Sequence, residues 1–233
     1  MTLPKISMPI FELELPSNGK KVKYRPFTVK EEKILLIAQE TKEPKQIITA
    51  IKQIVNNCMI DYALEDLSLF DLEYLLLSIR SRSVDNTIEF EIEDPDTKEP
   101  VQLAINLSDI KITKDPNHTN RIKLSDTYTL FLKYPSIDDF AEMLENEALT
   151  QEKSFEILMS CIDKLVSEEE VYNFKDFTKK QIDDFVESLH SDVVKKMKEF
   201  FDTIPKLRHE IHYVNSEGKN KTFVVEGTQT FFI

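Results

Sequence analysis

Ile88-Glu89-Phe90-Glu91-Ile92-Glu93 alternates apolar with acidic residues at every step. That period of two belongs to a strand with one face buried and one in water. The chain on either side reads with the helical period, so this switch decides the class. Asp94-Pro-Asp-Thr97 supplies turn chemistry, and Val101, Leu103 and Ile105 resume the alternation. Leu124, Tyr128, Leu130, Leu132 and Tyr134 read as a further strand pair or one long bent strand. Residues 86–134 are therefore expected to form a central antiparallel β section, joined by short turns.

Upstream, Phe11, Leu13 and Leu15 alternate with acids, and Val22 and Tyr24 with Lys21, Lys23 and Arg25. Asn18-Gly19 lies between them, the strongest short hairpin signal because both central residues of such a turn take positive φ. Thr28-Val-Lys-Glu31 is a capping box opening a helix to about Gln39. Pro44 suits the first turn of a second helix, with the stripe Ile47, Ile48, Ile51, Ile54, Val55 and Cys58. Ser68, with Asp71 three residues on, caps a third helix carrying Leu72, Leu75, Leu76 and Ile79.

Downstream, Ser136-Ile-Asp-Asp139 is a helix start. Phe155, Leu158, Cys161, Ile162 and Leu165 read as one helical stripe. Thr178-Lys-Lys-Gln181 is another capping box, leading to Ile182, Phe185, Val186 and Leu189; Val193 to Ile204 follows as a helix stopped by Pro205. Leu207, His209, Ile211 and Tyr213 alternate before a turn at Glu217-Gly218 and a return over Thr222 to Val225. The expected architecture is α+β. An N-terminal hairpin and helical lobe occupies 1–85, the β section 86–134, and a helical lobe closed by a hairpin 135–233.

Composition removes whole function classes. The three glycines are Gly19, Gly218 and Gly227, too scattered for a phosphate-cradling loop. Thirty basic residues against 42 acidic ones give a net charge of −12, repelled by nucleic acid and anionic membrane. Cys58 and Cys161 form neither a disulfide framework nor a zinc set. The opening residues, interrupted by Pro4 and Pro9, do not read as a signal peptide, and no segment reaches membrane-span length.

Candidate chemistry is sparse. His209-x-x-His212 has a chelate-like spacing, but on a strand an odd spacing places the two rings on opposite faces. The 93–99 loop offers Asp94, Asp96 and Glu99 to calcium without the glycine or full spacing of an EF-hand. Paired carboxylates could support a hydrolase, although any acidic chain has such pairs. No Gly-x-Ser-x-Gly elbow is present. Two surface features remain. Lys20, Lys21, Lys23, Arg25, Lys30 and Lys33 cluster near the first hairpin, as a docking face for an acidic partner or a lysine-guarded edge. Phe231-Phe232-Ile233 either folds back or inserts into a partner.

The order of several segments resembles the baseplate hub assembly proteins of T-even-like contractile-tailed bacteriophages. They are Leu15-Pro-Ser-Asn-Gly-Lys20, Val22 to Ala38 with Tyr24-Arg-Pro-Phe-Thr-Val-Lys-Glu-Glu-Lys33 at its centre, Phe70-Asp-Leu-Glu-Tyr-Leu75, and Arg80-Ser-Arg-Ser-Val84. Leu132-Lys-Tyr-Pro-Ser136, Phe200 to His209 and the ending around Gly227 and Phe231-Phe232 complete them. The resemblance implies a non-enzymatic role in assembling the central hub, as a chaperone-like factor or a retained component. It implies no cofactor, no metal and no catalytic residue. Expected partners are other tail or baseplate hub proteins, with no nucleic acid, membrane or small-molecule substrate. The expected location is the infected host's cytoplasm, or the virion tail baseplate. The expected partner interface is Tyr24, Arg25, Phe27, Phe231, Phe232 and Ile233. A baseplate-associated carboxylate hydrolase and a metal-binding regulator are the alternatives.

Overall fold

The computed structural model describes residues 6–226, apart from 42, 63, 65–66, 84–85, 138 and 140–150. Among these, the α+β class is realised as six α-helices and eleven strands in small antiparallel sheets. The chain divides into two compact units: one from the chain up to Thr113 and from Lys206 onward, the other Lys114–Pro205.

The first unit begins with hairpin β1 (Phe11–Glu14) and β2 (Lys21–Tyr24). Its loop is longer than a two-residue turn. Leu15 and Lys20 close it, and the Gly19 N–H donates to the Leu15 carbonyl at 2.8 Å. Gly19 has φ of 71°, but Asn18 does not share the positive value; its side chain instead accepts the Lys20 N–H at 2.9 Å. Helices α1 (Val29–Thr41), α2 (Pro44–Cys58) and α3 (Leu69–Ser81) follow. Leu75, Leu76 and Leu77 of α3 are all buried in succession, so this helix is covered on most sides. It packs with Ile54, Val55 and Cys58 into the core of the unit. Asp71, also fully buried, accepts the Ser68 hydroxyl at 2.6 Å and the Ser17 N–H at 3.0 Å. That ties the first hairpin loop to the start of α3.

Strands β3 (Thr87–Glu93) and β4 (Pro100–Asn106) pair in the register the alternation demands, Ile88 facing Ile105 and Phe90 facing Leu103. The short β5 (Lys111–Thr113) does not extend this hairpin. It pairs with β10 (Lys206–Val214), which pairs in turn with β11 (Asn220–Glu226). Thr113 lies opposite Lys206, so the chain leaves and re-enters this unit at neighbouring strand ends, a geometry that accommodates an inserted unit. Asp94 closes the β3–β4 turn: it accepts the Asp96 and Thr97 N–H groups at 3.0 and 2.9 Å and the Tyr213 hydroxyl of β10 at 2.8 Å. These donors, led by the Thr97 N–H, hold its carboxyl well below the usual carboxylate range.

The inserted unit carries the sheet β6 (Arg121–Lys123), β7 (Thr129–Leu132), β8 (Ile162–Val166) and β9 (Val171–Asn173), in that order. Its helices are α4 (Gln151–Ser160), α5 (Lys179–Glu187) and α6 (Ser191–Asp202). Ile122, Leu130, Leu132, Leu158, Ile162, Phe174, Val193, Met197 and Phe200 form its buried core.

The units divide at 113/114 and 205/206, and the strands of 86–134 are shared between them because β5 pairs with β10 and β7 with β8. One expectation changes here. The helical stripe through Leu165 ends at Ser160. Ile162 and Leu165 instead face Leu132 and Leu130 across the sheet. Both partners are fully buried, so pairing and burial together override the local helical spacing.

His118 joins the inserted unit's core to its rim. Its ring stacks with Tyr134 and Phe200, centroids 5.7 and 5.2 Å away. Nδ1 lies 2.9 Å from the Thr203 hydroxyl, and Nε2 3.0 Å from the Tyr134 hydroxyl. The Thr203 hydroxyl donates to the Glu199 carbonyl at 2.8 Å, so it accepts from Nδ1–H and leaves Nε2 to accept from Tyr134. That network suits a neutral imidazole. Burial lowers the His118 pKa, and Asp115 opposes this more weakly. A depressed base binds fewer protons when folded, so stability is full above the unfolded pKa of about 6.5 and falls as pH drops below it. Denaturant titrations are expected to show lower stability at pH 5.5 than at pH 7.5 from this group. In His118→Gln that share of the pH dependence disappears.

Candidate protein-docking interface

Thr178 opens α5 with a complete capping box: its hydroxyl accepts the Gln181 N–H, and Gln181 Oε1 takes the Thr178 N–H at 3.0 Å. The helix then repeats apolar residues at Ile182, Phe185 and Val186, with Leu189 just beyond its end. On an ordinary core helix this face would be covered, yet no residue of α5 is buried. Ile182, Phe185, Val186 and Leu189 are each half-buried, because the helix lies as a ridge between two open cavities.

The larger cavity has a volume of about 550 Å³. One wall is Ile182, Phe185 and Leu189. The floor is Leu165, Tyr172 and Phe174, and the opposite wall is Leu124, Ser125 and Tyr128 from the β6–β7 turn. Phe174 meets Phe185 edge-on at 5.4 Å, and Phe177 meets Phe174 at 6.5 Å. Phe177 and Tyr128 are each 39% exposed, so the mouth itself is aromatic. The smaller cavity, about 210 Å³, lies across α5 between Phe155, Met159, Val186 and Met197, with Asp183 and Glu187 at its edge.

The polar groups lining the groove serve the fold. Ser125 Oγ accepts the Thr127 and Tyr128 N–H groups, and Gln181 is held in its capping box. The Tyr172 hydroxyl donates to Glu170, which pushes its pKa up to about 12. What remains is an apolar, aromatic recess that can remove a partner's apolar side chains from water.

A family model described as T4 bacteriophage base plate protein matches residues 8–233. The chain belongs to that family. The match runs through both units. No curated protein and no solved structure matches the chain. Membership makes it a phage tail baseplate protein, associated with other baseplate proteins. None of its described helices is long and apolar enough to cross a membrane.

In this baseplate protein three of the residues anticipated at a partner surface, Tyr24, Arg25 and Phe27, fall within the first unit. Tyr24 is 4% exposed and packs on Phe11 across the hairpin, ring centroids 5.8 Å apart. Phe27 is likewise buried, its N–H donating to Ser83 Oγ at 2.7 Å. Arg25 donates to both oxygens of Glu31 at 3.2 Å and to the Pro26 carbonyl at 2.9 Å. Arg25 thus ties the end of the first hairpin to α1, and Phe27 ties the segment after it to the end of α3. Phe231, Phe232 and Ile233 lie outside the described residues. The lysine cluster is largely met by the chain's own groups: Lys21 pairs with Glu12 at 3.0 Å, Lys23 with Asp61 at 3.8 Å, and Lys20 sits over the Tyr62 ring. His209 and His212 fall on opposite faces of β10, and the His212 Nδ1 lies 3.0 Å from the Thr222 hydroxyl. The groove was not anticipated. Its available signal was the aromatic density of Tyr172, Phe174, Phe177 and Phe185 in one short stretch.

Proposed function

We propose that this baseplate protein acts in assembling the central hub, by non-catalytic contacts made through the apolar groove beside α5. It works in the cytoplasm of the infected host, as an assembly chaperone or as a component kept in the particle. The observation that carries this reading is the open aromatic recess on a chain whose family builds baseplates. The state of the reactive side chains supports it. Burial pushes the thiols of Cys58 and Cys161 up to about 11, which disfavours the thiolate needed for attack. The buried carboxylates of Glu31, Asp71 and Asp94 are engaged by the fold's own donors. Among the described residues no carboxylate lines the larger groove, where a hydrolase reading would need two facing each other.

Quantitative mass spectrometry of purified virions and of hub intermediates tests the proposal. Stoichiometric copies in virions identify a retained component, and presence in intermediates alone identifies a chaperone. Failure of the chain to co-purify with any tail or baseplate protein from infected cells would remove the proposal.

A further inference from the structure

The charge is unevenly divided along the chain. Residues 114–205 hold 12 lysines and arginines against 20 aspartates and glutamates, which is −8 of the chain's −12. In the two stretches that supply the groove's lining, 124–128 and 165–189, the acids again outnumber the bases: Asp126, Glu168 to Glu170, Asp176, Asp183, Asp184 and Glu187 stand against Lys175, Lys179 and Lys180. Lys123 is paired with Asp126 at 2.7 Å. An aromatic recess within an acidic unit selects for an apolar segment that brings its own cations.

We infer that the groove beside α5 receives an amphipathic segment of another baseplate protein, with large apolar anchors flanked by lysine or arginine. The apolar anchors supply affinity by leaving water. The flanking cations supply orientation and a faster encounter, and they disfavour acidic competitors. This inference rests on the groove being the baseplate contact.

The chain contains no tryptophan, so a single tryptophan placed among a peptide's apolar anchors reports its own burial. Two synthetic amphipathic peptides share their apolar residues, one flanked by lysines and the other by glutamates. The full chain is expected to blue-shift and bind the lysine peptide at least about tenfold more tightly at low salt. The gap narrows as salt is raised. Phe177→Glu, at the exposed mouth, is expected to abolish binding of the lysine peptide. The double variant Glu168→Gln, Glu169→Gln lies on an exposed turn, keeps the fold, and should reduce the preference between peptides. Equal binding of both peptides, or binding of neither, overturns the inference. So does a concentration-dependent dimer that Phe177→Glu abolishes, which would seat a second copy in the groove. If neither peptide binds while the chain still co-purifies with a baseplate protein, the assembly role stands and only the inference on the occupant fails.

Discussion

Arg25→Ala is expected to destabilise the first unit by about 3–5 kcal/mol. Glu31 is completely buried, and Arg25 meets both its carboxylate oxygens. The Thr28 N–H donates to the same carboxylate at 2.9 Å, as does the Thr28 hydroxyl. Removing the guanidinium leaves a buried anion with only neutral donors, and that desolvation cost is the main loss. The effect has a pH signature. Burial alone would raise the Glu31 pKa, but the Arg25 and Thr28 hydrogen bonds outweigh it and lower it to about 2. A depressed acid contributes stability that is present above its unfolded pKa of about 4.3 and lost as pH falls toward about 2. In Arg25→Ala the carboxyl loses its largest stabilising partner, so its pKa rises. Denaturant midpoints of the two proteins should therefore lie far apart at pH 7 and approach each other below pH 5. A gap under about 1 kcal/mol at pH 7, of the size seen for surface pairs, would contradict the buried-pair account.

Phe200→Ala is expected to cost the inserted unit about 3–5 kcal/mol. Phe200 is 2% exposed, within the cluster that includes Leu130, Leu132 and Met197. Its ring also stacks with Tyr134 at 5.5 Å and meets Phe201 edge-on at 5.5 Å. Truncation removes transfer energy, leaves a cavity, and ends these ring contacts. Because α6 and the sheet are held by the same cluster, relaxation has little room to refill the space. Equilibrium urea unfolding followed by far-UV circular dichroism measures the change. A midpoint shift with unchanged slope fits the account, and a loss below about 1 kcal/mol would show that Phe200 is not packed as described.

What could be read from the sequence was what is locally self-sufficient. The β3–β4 hairpin and the α2 and α3 stripes carry their own periodicity, and Thr178 and Ser68 carry their own caps. The pairings that organise the units are non-local. Lys111 of β5 lies opposite Arg208 of β10, and three residues with a remote partner leave almost no pattern. Ile162 and Leu165 fit a helix as well as a strand until Leu130 and Leu132 are brought beside them. The position of the expected interface residues was not legible for a related reason. Tyr24 and Arg25 have the chemistry of interface anchors, and that same chemistry suits an internal clamp. Burial decides between the two, and burial depends on Phe11, Glu31 and Met59. The groove needs a turn, a sheet and α5 together, so no single segment announces it.

Cross-linking mass spectrometry on assembling baseplates in infected cells is the most direct test of the central claim. The account predicts links from Lys175, Lys179 or Lys180, in the stretch that supplies the groove's lining, to another baseplate protein, lost when the chain carries Phe177→Glu. Links to baseplate partners made only through lysines of the first unit, and unchanged by that substitution, would contradict it.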